Sequence, residues 1–164
     1  MKKSLVILAA EDETSDVWLL REALRGAEVD ADLQVTRDGD EAIGYLQGKG
    51  EYGDRDRHPF PNLLLLDLKM PRMGGIEVLR WIKRQPQLKA LRVIVLTSSE
   101  DISDVNEAYE VGANSFLVKP LEFINYPAML QTLSKFWLHE SQAPALERPP
   151  KANPSSLQDA SAAE

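Results

Sequence analysis

The chain has 164 residues, 43% of them hydrophobic and 27% charged, which suits one ordinary domain with a tail and excludes a wholly disordered chain. There is no cysteine, so a disulfide framework, a thiolate nucleophile and a cysteine zinc site are all excluded. Nineteen Lys and Arg against 26 Asp and Glu leave a net charge of −7, and nucleic-acid binding, which needs a positive face, is not expected of this chain alone.

The first element is the apolar run Leu5 to Leu8, which leads through Ala10 into Glu11-Asp12-Glu13. That run is too short for a signal peptide and far below the roughly 18 residues of a membrane span. A soluble, cytoplasmic protein with no membrane contact is therefore expected. Val17, Leu20, Leu24 and Ala27 follow at helical spacing, with Thr14 or Ser15 as N-cap. Leu33 to Thr36 alternates as a strand does, and Asp38-Gly39 punctuates the chain before a helix through Ala42, Ile43 and Leu46. Gly48 to Pro61 is too rich in Gly, Pro and charge for regular structure. Leu63 to Leu66 is a buried strand ending at Asp67, and Pro71 to Gly75 breaks the chain before a helix with Val78, Leu79 and Ile82. Val93 to Leu96 ends at Thr97-Ser98-Ser99, and the next helix carries Val105, Ala108 and Tyr109 with Gly112 as C-cap. Ser115 to Val118 leads to Lys119-Pro120, and a last helix presents Leu130, Leu133 and Trp137. Pro127 restricts that helix to a late start, with Asn125 as its N-cap. Beyond residue 140 the chain is rich in Pro, Ala and Ser and has no aromatic residue, so 141–164 reads as a flexible tail behind a domain at 4–140.

Five strands alternating with five helices imply an α/β protein: a five-stranded parallel sheet, doubly wound, with helices on both faces. Ligands of such sheets bind outside the carboxyl ends of the strands. Those ends carry Glu11-Asp12, Asp67, Thr97 and Lys119. Taken singly, each has an ordinary explanation as a solvated helix start, a cap or a turn. Together they make one pocket in which crowded carboxylates need a cation. Oxygen ligands without Cys and with little His point to Mg²⁺. The matching chemistry is phosphoryl transfer to a carboxylate, with Asp67 as nucleophile, Glu11 and Asp12 holding the metal, and Thr97 and Lys119 contacting the phosphoryl oxygens.

Glu11-Asp12, Leu66 to Pro71 with Gly74-Gly75, Leu96 to Ser98, Gly112-Ala113 and Phe116 to Pro120 resemble, in identity and spacing, the receiver domains of bacterial response regulators. The resemblance spans roughly residues 4 to 139. It implies a flavodoxin-like (βα)5 fold and Asp67 as phosphoacceptor. It also implies Mg²⁺ held by Asp12, Asp67, the Lys69 carbonyl and, through water, Glu11. Thr97 and Phe116 match the family's switch pair, and the bond to Pro120 is typically cis in receivers. Lys69 and Ser99 sit where residues tune the phosphoryl lifetime. The loop Gly48 to Pro61 and the ending Phe136-Trp137-Leu138 resemble regulators that partner phytochrome kinases. That group implies a histidine kinase of phytochrome type as partner, and a homodimer through the fourth helix, fifth strand and fifth helix, with Tyr109, Phe116 and Trp137 on that face.

The function expected is a stand-alone regulator, not an enzyme toward other substrates, that catalyses only its own phosphorylation and dephosphorylation. A phosphorelay intermediate and a phosphorylation-independent binding module are the alternatives. An aspartyl-phosphate phosphatase is disfavoured, because its second acid, two residues past the nucleophile, is here Lys69.

Overall fold

The computed structural model describes residues 5–98, 101–133 and 135; Ser99, Phe136 to Leu138 and the 141–164 segment lie outside them. The strands are β1 (Leu5–Ala10), β2 (Ala31–Thr36), β3 (Leu63–Leu66), β4 (Arg92–Thr97) and β5 (Ser115–Val118). The helices are α1 (Thr14–Gly26), α2 (Gly39–Gln47), α3 (Gly75–Lys83), α4 (Ile102–Val111) and α5 (Tyr126–Leu133). All strands are parallel, in the order β2-β1-β3-β4-β5. The doubly wound α/β expectation therefore holds. Among the described residues no helix is long and apolar enough to cross a membrane.

The continuous apolar runs are explained by two cores, one on each face. Successive side chains of a strand point to opposite faces. Leu64 and Leu66 of β3, with Val93 and Val95 of β4, enter the core closed by α2, α3 and α4 through Ala42, Leu46, Val78, Leu79, Ile82 and Ala108. Leu63 and Leu65, with Ile94 and Leu96, enter the other core, closed by α1 and α5 through Leu20, Leu24, Leu130 and Leu133. β3 and β4 are accordingly buried at every position, whereas β2 and β5, at the sheet edges, are only half-buried.

Helix ends follow local chemistry. The Asp38 carboxylate accepts the Glu41 N–H at 2.8 Å and starts α2. Gly48 and Gly112 close α2 and α4 in the left-handed region, with φ of 68° and 119°. The first helix differs from expectation by one or two residues: its N-cap is Glu13, with no side-chain bond, rather than Thr14 or Ser15. At the start of α5, Asn125 closes a 3₁₀ turn, Phe123–Asn125, and the α-helix begins at Tyr126 with Pro127 in its first turn. Proline there removes an N–H that would have no partner anyway.

The segment 48–61, read from sequence as irregular, contains a 3₁₀ turn at Gly50–Gly53 and packs closely. The rings of Tyr52 and His58 stand 5.0 and 5.9 Å from that of Tyr45, whose hydroxyl donates to the Pro59 carbonyl at 2.8 Å. Arg55 lies over the Tyr45 and Phe60 rings and donates to the carbonyls of His58 and Leu46. Composition marked the segment as a loop, but its aromatic residues give it a packed interior of its own.

Candidate functional site

In a parallel sheet all strands end at one edge, and here one residue after each of three strands is pinned by one further ladder bond. The Glu11 N–H donates to the Thr36 carbonyl at 2.9 Å, Asp67 N–H to Ala10 at 3.1 Å and Lys119 N–H to Thr97 at 2.8 Å. The acceptors are the last residues of β2, β1 and β4. Rigid strands thereby fix three backbones before any side chain is considered.

The side chains converge. Lys119 Nζ lies 2.6 Å from Glu11 Oε2, 2.8 Å from Asp16 Oδ2 and 3.0 Å from Asp67 Oδ2, in a pocket also lined by Leu96 and Tyr126. The Lys119, Glu11 and Asp67 side chains are only 8–9% exposed, so these are ion pairs largely withdrawn from water. The other Asp67 oxygen, Oδ1, accepts the Lys69 N–H at 3.1 Å, and Glu11 Oε1 accepts the Glu13 N–H at 3.1 Å. Thr97 is fully buried at the end of β4, while Phe116 is half-buried on β5, packed against the α2–α4 core. The Phe116 N–H donates to the Tyr109 hydroxyl at 3.1 Å, so this half-exposed tyrosine is bonded across α4 and β5. Trp137, expected on the same face, lies outside the described residues.

One expectation is corrected. The Lys119–Pro120 bond is trans, and no peptide among the described residues is cis. The trans form is the intrinsic preference of an X–Pro bond by about 0.5–1 kcal/mol. The ladder bond to Thr97 already delivers the Lys119 stem to the strand edge, so its amine reaches the carboxylates without a cis bond.

Asp16 is the member that sequence reading missed. It lies in the first turn of α1, where an acidic residue is ordinary helix chemistry, so nothing local marked it as a member of the pocket.

The loop after Asp67 is held from both ends. Gly75 N–H donates to the Leu68 carbonyl at 3.0 Å, and Gly39 N–H to Met73 at 3.2 Å. Arg72, at φ 65°, pairs with the buried Asp38 carboxylate at 2.9 Å. The start of α2 is therefore tied to the loop that carries Lys69.

Charge in the pocket is shared unevenly. Burial pushes the Glu11 carboxyl up to about 7; Lys119 opposes this and Asp67 adds to it. Burial also acts against an ionised Asp67, but hydrogen bonds from Glu11, Lys119 and the Lys69 N–H outweigh it and hold Asp67 below its ordinary value. For Lys119 the cost of burial is outweighed by Asp16, Glu11 and Asp67, so the amine stays firmly protonated. Near neutral pH this is a proton-sharing pair, Asp67 ionised and Glu11 partly neutral, beside one ammonium.

A consequence for stability follows. The folded state keeps the Glu11 proton between pH 4.5 and about 7, where the unfolded chain has lost it. Stability from this group therefore falls as pH rises through that window and is level above it. Asp67 acts in the opposite sense and only in acid, where stability is lost as pH falls below 3.8. Resistance to urea in chelator is expected to fall from pH 5 to 8, and a divalent cation held at the pocket would offset the loss at the alkaline end. Glu11→Gln flattens this slope; an unchanged slope in that variant removes Glu11 as its source.

Among the described residues Glu11, Asp12 and Asp67 each offer a carboxylate oxygen, all within 4.8 Å of one another. An all-oxygen set of this size, with an ammonium already partly neutralising it, fits a hard divalent cation. The sequence expectation for Glu11, Asp12 and Asp67 as a group is met in space, with Lys119 joined to them and Thr97 on the neighbouring strand end.

Residues 7–131 match the family described as response regulator receiver domain. The chain is 41% identical over 140 residues to response regulator Rcp1 of Synechocystis sp. (strain ATCC 27184 / PCC 6803 / Kazusa), covering 85% of this chain and 93% of Rcp1. The crystal structure of the Mn(2+)-bound form of Rcp1 superposes with a TM-score of 0.75 at 40% identity, over 86% of this chain and 99% of that one. Response regulator RPA3017, in red light signaling of R. palustris, superposes with a TM-score of 0.82 at 35% identity, over 86% and 99% of the two chains. The phosphorylated cyanobacterial phytochrome response regulator RcpA gives 0.79 at 33% identity, over 87% and 100%.

Proposed function

The chain belongs to the response regulator receiver domain family, and from that membership we propose that it accepts a phosphoryl group on Asp67 from the phosphohistidine of a histidine kinase. The observation that carries this reading is the meeting of Glu11, Asp12 and Asp67 within 4.8 Å, with Lys119 Nζ 3.0 Å from Asp67. Asp12, Asp67, the Lys69 carbonyl and, through water, Glu11 would hold a Mg²⁺ ion, which would supply charge neutralisation for the incoming group. An Asp67 carboxylate oxygen attacks phosphorus as the P–N bond to the histidine breaks. The departing imidazole nitrogen keeps that electron pair and takes a proton from solvent. Lys119 and Thr97 donate hydrogen bonds to the phosphoryl oxygens, and Thr97 with Phe116 reports the new charge to the β4–β5 edge. The only turnover proposed is the protein's own phosphorylation and dephosphorylation.

The proposed kinase is a phytochrome-type photoreceptor, supported by the phytochrome and red-light relatives. The chain covers 93–100% of the relatives described, which supports action as a single receiver, and the proposed compartment is the cytoplasm. Output then runs through protein contacts, including a homodimer on the α4–β5–α5 face that carries Tyr109. The test is incubation with acetyl phosphate, with and without Mg²⁺, read on a phosphate-affinity gel. A retarded band that needs Mg²⁺ and disappears with chelator is expected. No retarded band under any condition ends the reading.

A further inference from the structure

An ammonium has three N–H donors, and Lys119 gives all three to carboxylates: Glu11, Asp16 and Asp67. These partners are not equivalent. Glu11 and Asp67 belong to the group of carboxylates that converge within 4.8 Å, where a divalent cation fits; Asp16 does not. A cation held in that group would compete with the ammonium for two of the three partners, Glu11 and Asp67, and would repel it. Phosphorylation of Asp67 removes one of the same two partners again, by turning a carboxylate into an acyl phosphate. Only Asp16 is untouched by either event. It sits in the first turn of α1, outside the converging carboxylates, and its side chain is 28% exposed, so it can keep an ordered acceptor near Nζ without being drawn into the metal group.

We infer that Asp16 is a positioning residue for Lys119, the acceptor that retains the amine at the pocket once a divalent cation has claimed Glu11 and Asp67. Without it Lys119 is held in the metal-free protein, by two carboxylates, and released in the metal-loaded one, where its bond to the phosphoryl group is needed. The functional consequence rests on Asp67 as phosphoacceptor; the retention of the amine does not.

The test uses the full chain with ¹⁵N-lysine and detects side-chain ammonium groups by NMR, since a buried, triply bonded ammonium exchanges slowly while exposed ones exchange fast. One protected resonance is expected in the wild type, absent in Lys119→Arg, and persisting when Mg²⁺ alone is added. In Asp16→Ala the resonance survives in chelator and vanishes in Mg²⁺, and Asp16→Glu restores it. Asp16→Asn, which keeps an acceptor, serves if the alanine variant folds poorly, and shows the same loss in weaker form. With acetyl phosphate, Asp16→Ala phosphorylates roughly tenfold more slowly at saturating Mg²⁺, a cost of lost positioning, and Asp16→Glu recovers the rate. A Mg²⁺-loaded resonance that persists in both Asp16→Ala and Asp16→Asn overturns the inference, as does a wild-type resonance lost on adding Mg²⁺ or never seen. If acetyl phosphate fails to modify the wild type, the phosphoacceptor reading falls while the NMR comparison still decides the role of Asp16.

Discussion

Asp67→Asn abolishes phosphorylation by acetyl phosphate, lowering the rate by at least about a thousandfold, because the variant has no carboxylate to attack phosphorus. The two side chains have nearly the same shape, so the change is confined to chemistry. Asn can still accept the Lys69 N–H that Asp67 Oδ1 accepts at 3.1 Å. What it cannot do is share charge with Lys119, 3.0 Å away, or ionise beside Glu11. Asp67 is one of the influences that raise Glu11, so the variant should bring Glu11 back toward its ordinary range. Metal affinity falls in parallel, since one of three converging carboxylates is gone. The fold remains, because Leu63 to Leu66 and their two cores are unchanged. Phosphate-affinity electrophoresis measures the first effect, and urea unfolding checks that the protein is intact. A retarded band of normal intensity in the variant would move the acceptor to another carboxylate of the pocket.

Gly75→Ala is the substitution expected to damage fold and site together. A Cβ at Gly75 would stand 2.2 Å from the Asp67 carbonyl oxygen and 2.9 Å from Leu68 Cα. Both obstacles are backbone, so no side-chain rotation relieves them. The requirement is close approach rather than an unusual φ: α3 begins where the chain has folded back over Asp67, secured by the Gly75 N–H to Leu68 bond. Relief demands that the loop 68–74 lift away from the end of β3, which displaces Lys69 and its bond to Asp67. A loss of about 3 kcal/mol or more is expected, at the upper end of overpacking costs, together with loss of Mg²⁺ binding. Gly74→Ala is the graded comparison, because its Cβ would meet only the Leu68 carbonyl, at 3.2 Å. Chemical denaturation of both variants beside the wild type measures the difference. Gly75→Ala within about 0.5 kcal/mol of the wild type would show that the loop yields freely.

Much of the site was legible because its members are defined locally. Asp67, Thr97 and Glu11 each end an apolar run, and a run buried on both faces must stop where the chain meets water or a ligand. Lys119 was legible in the same way, at the end of Ser115–Val118. The segment 48–61 was legible only as a loop. Its Gly and Pro content hid the packing of Tyr52 and His58 on Tyr45 and of Arg55 over Tyr45 and Phe60, since composition says nothing about which groups meet. Tyr109 was read as a residue of the fourth helix on the implied dimer face. It is half-exposed with its hydroxyl bonded to β5, a placement that depends on how α4 sits against the sheet.

The sequence by itself determined the alternation of strand and helix, the parallel sheet, and the residues standing at its carboxyl edge. Those follow from periodicity and from the termination of apolar runs, which are properties of neighbours in the chain. Tertiary structure alone decided that Asp16 joins Lys119 across 103 positions and that the Lys119 amine reaches the carboxylates with its bond to Pro120 trans. It also decided that Arg72 ties the loop after Asp67 to the start of α2. Each of these is settled by the packing of elements far apart in sequence, where a contact forms only if the rigid parts on both sides are already in place.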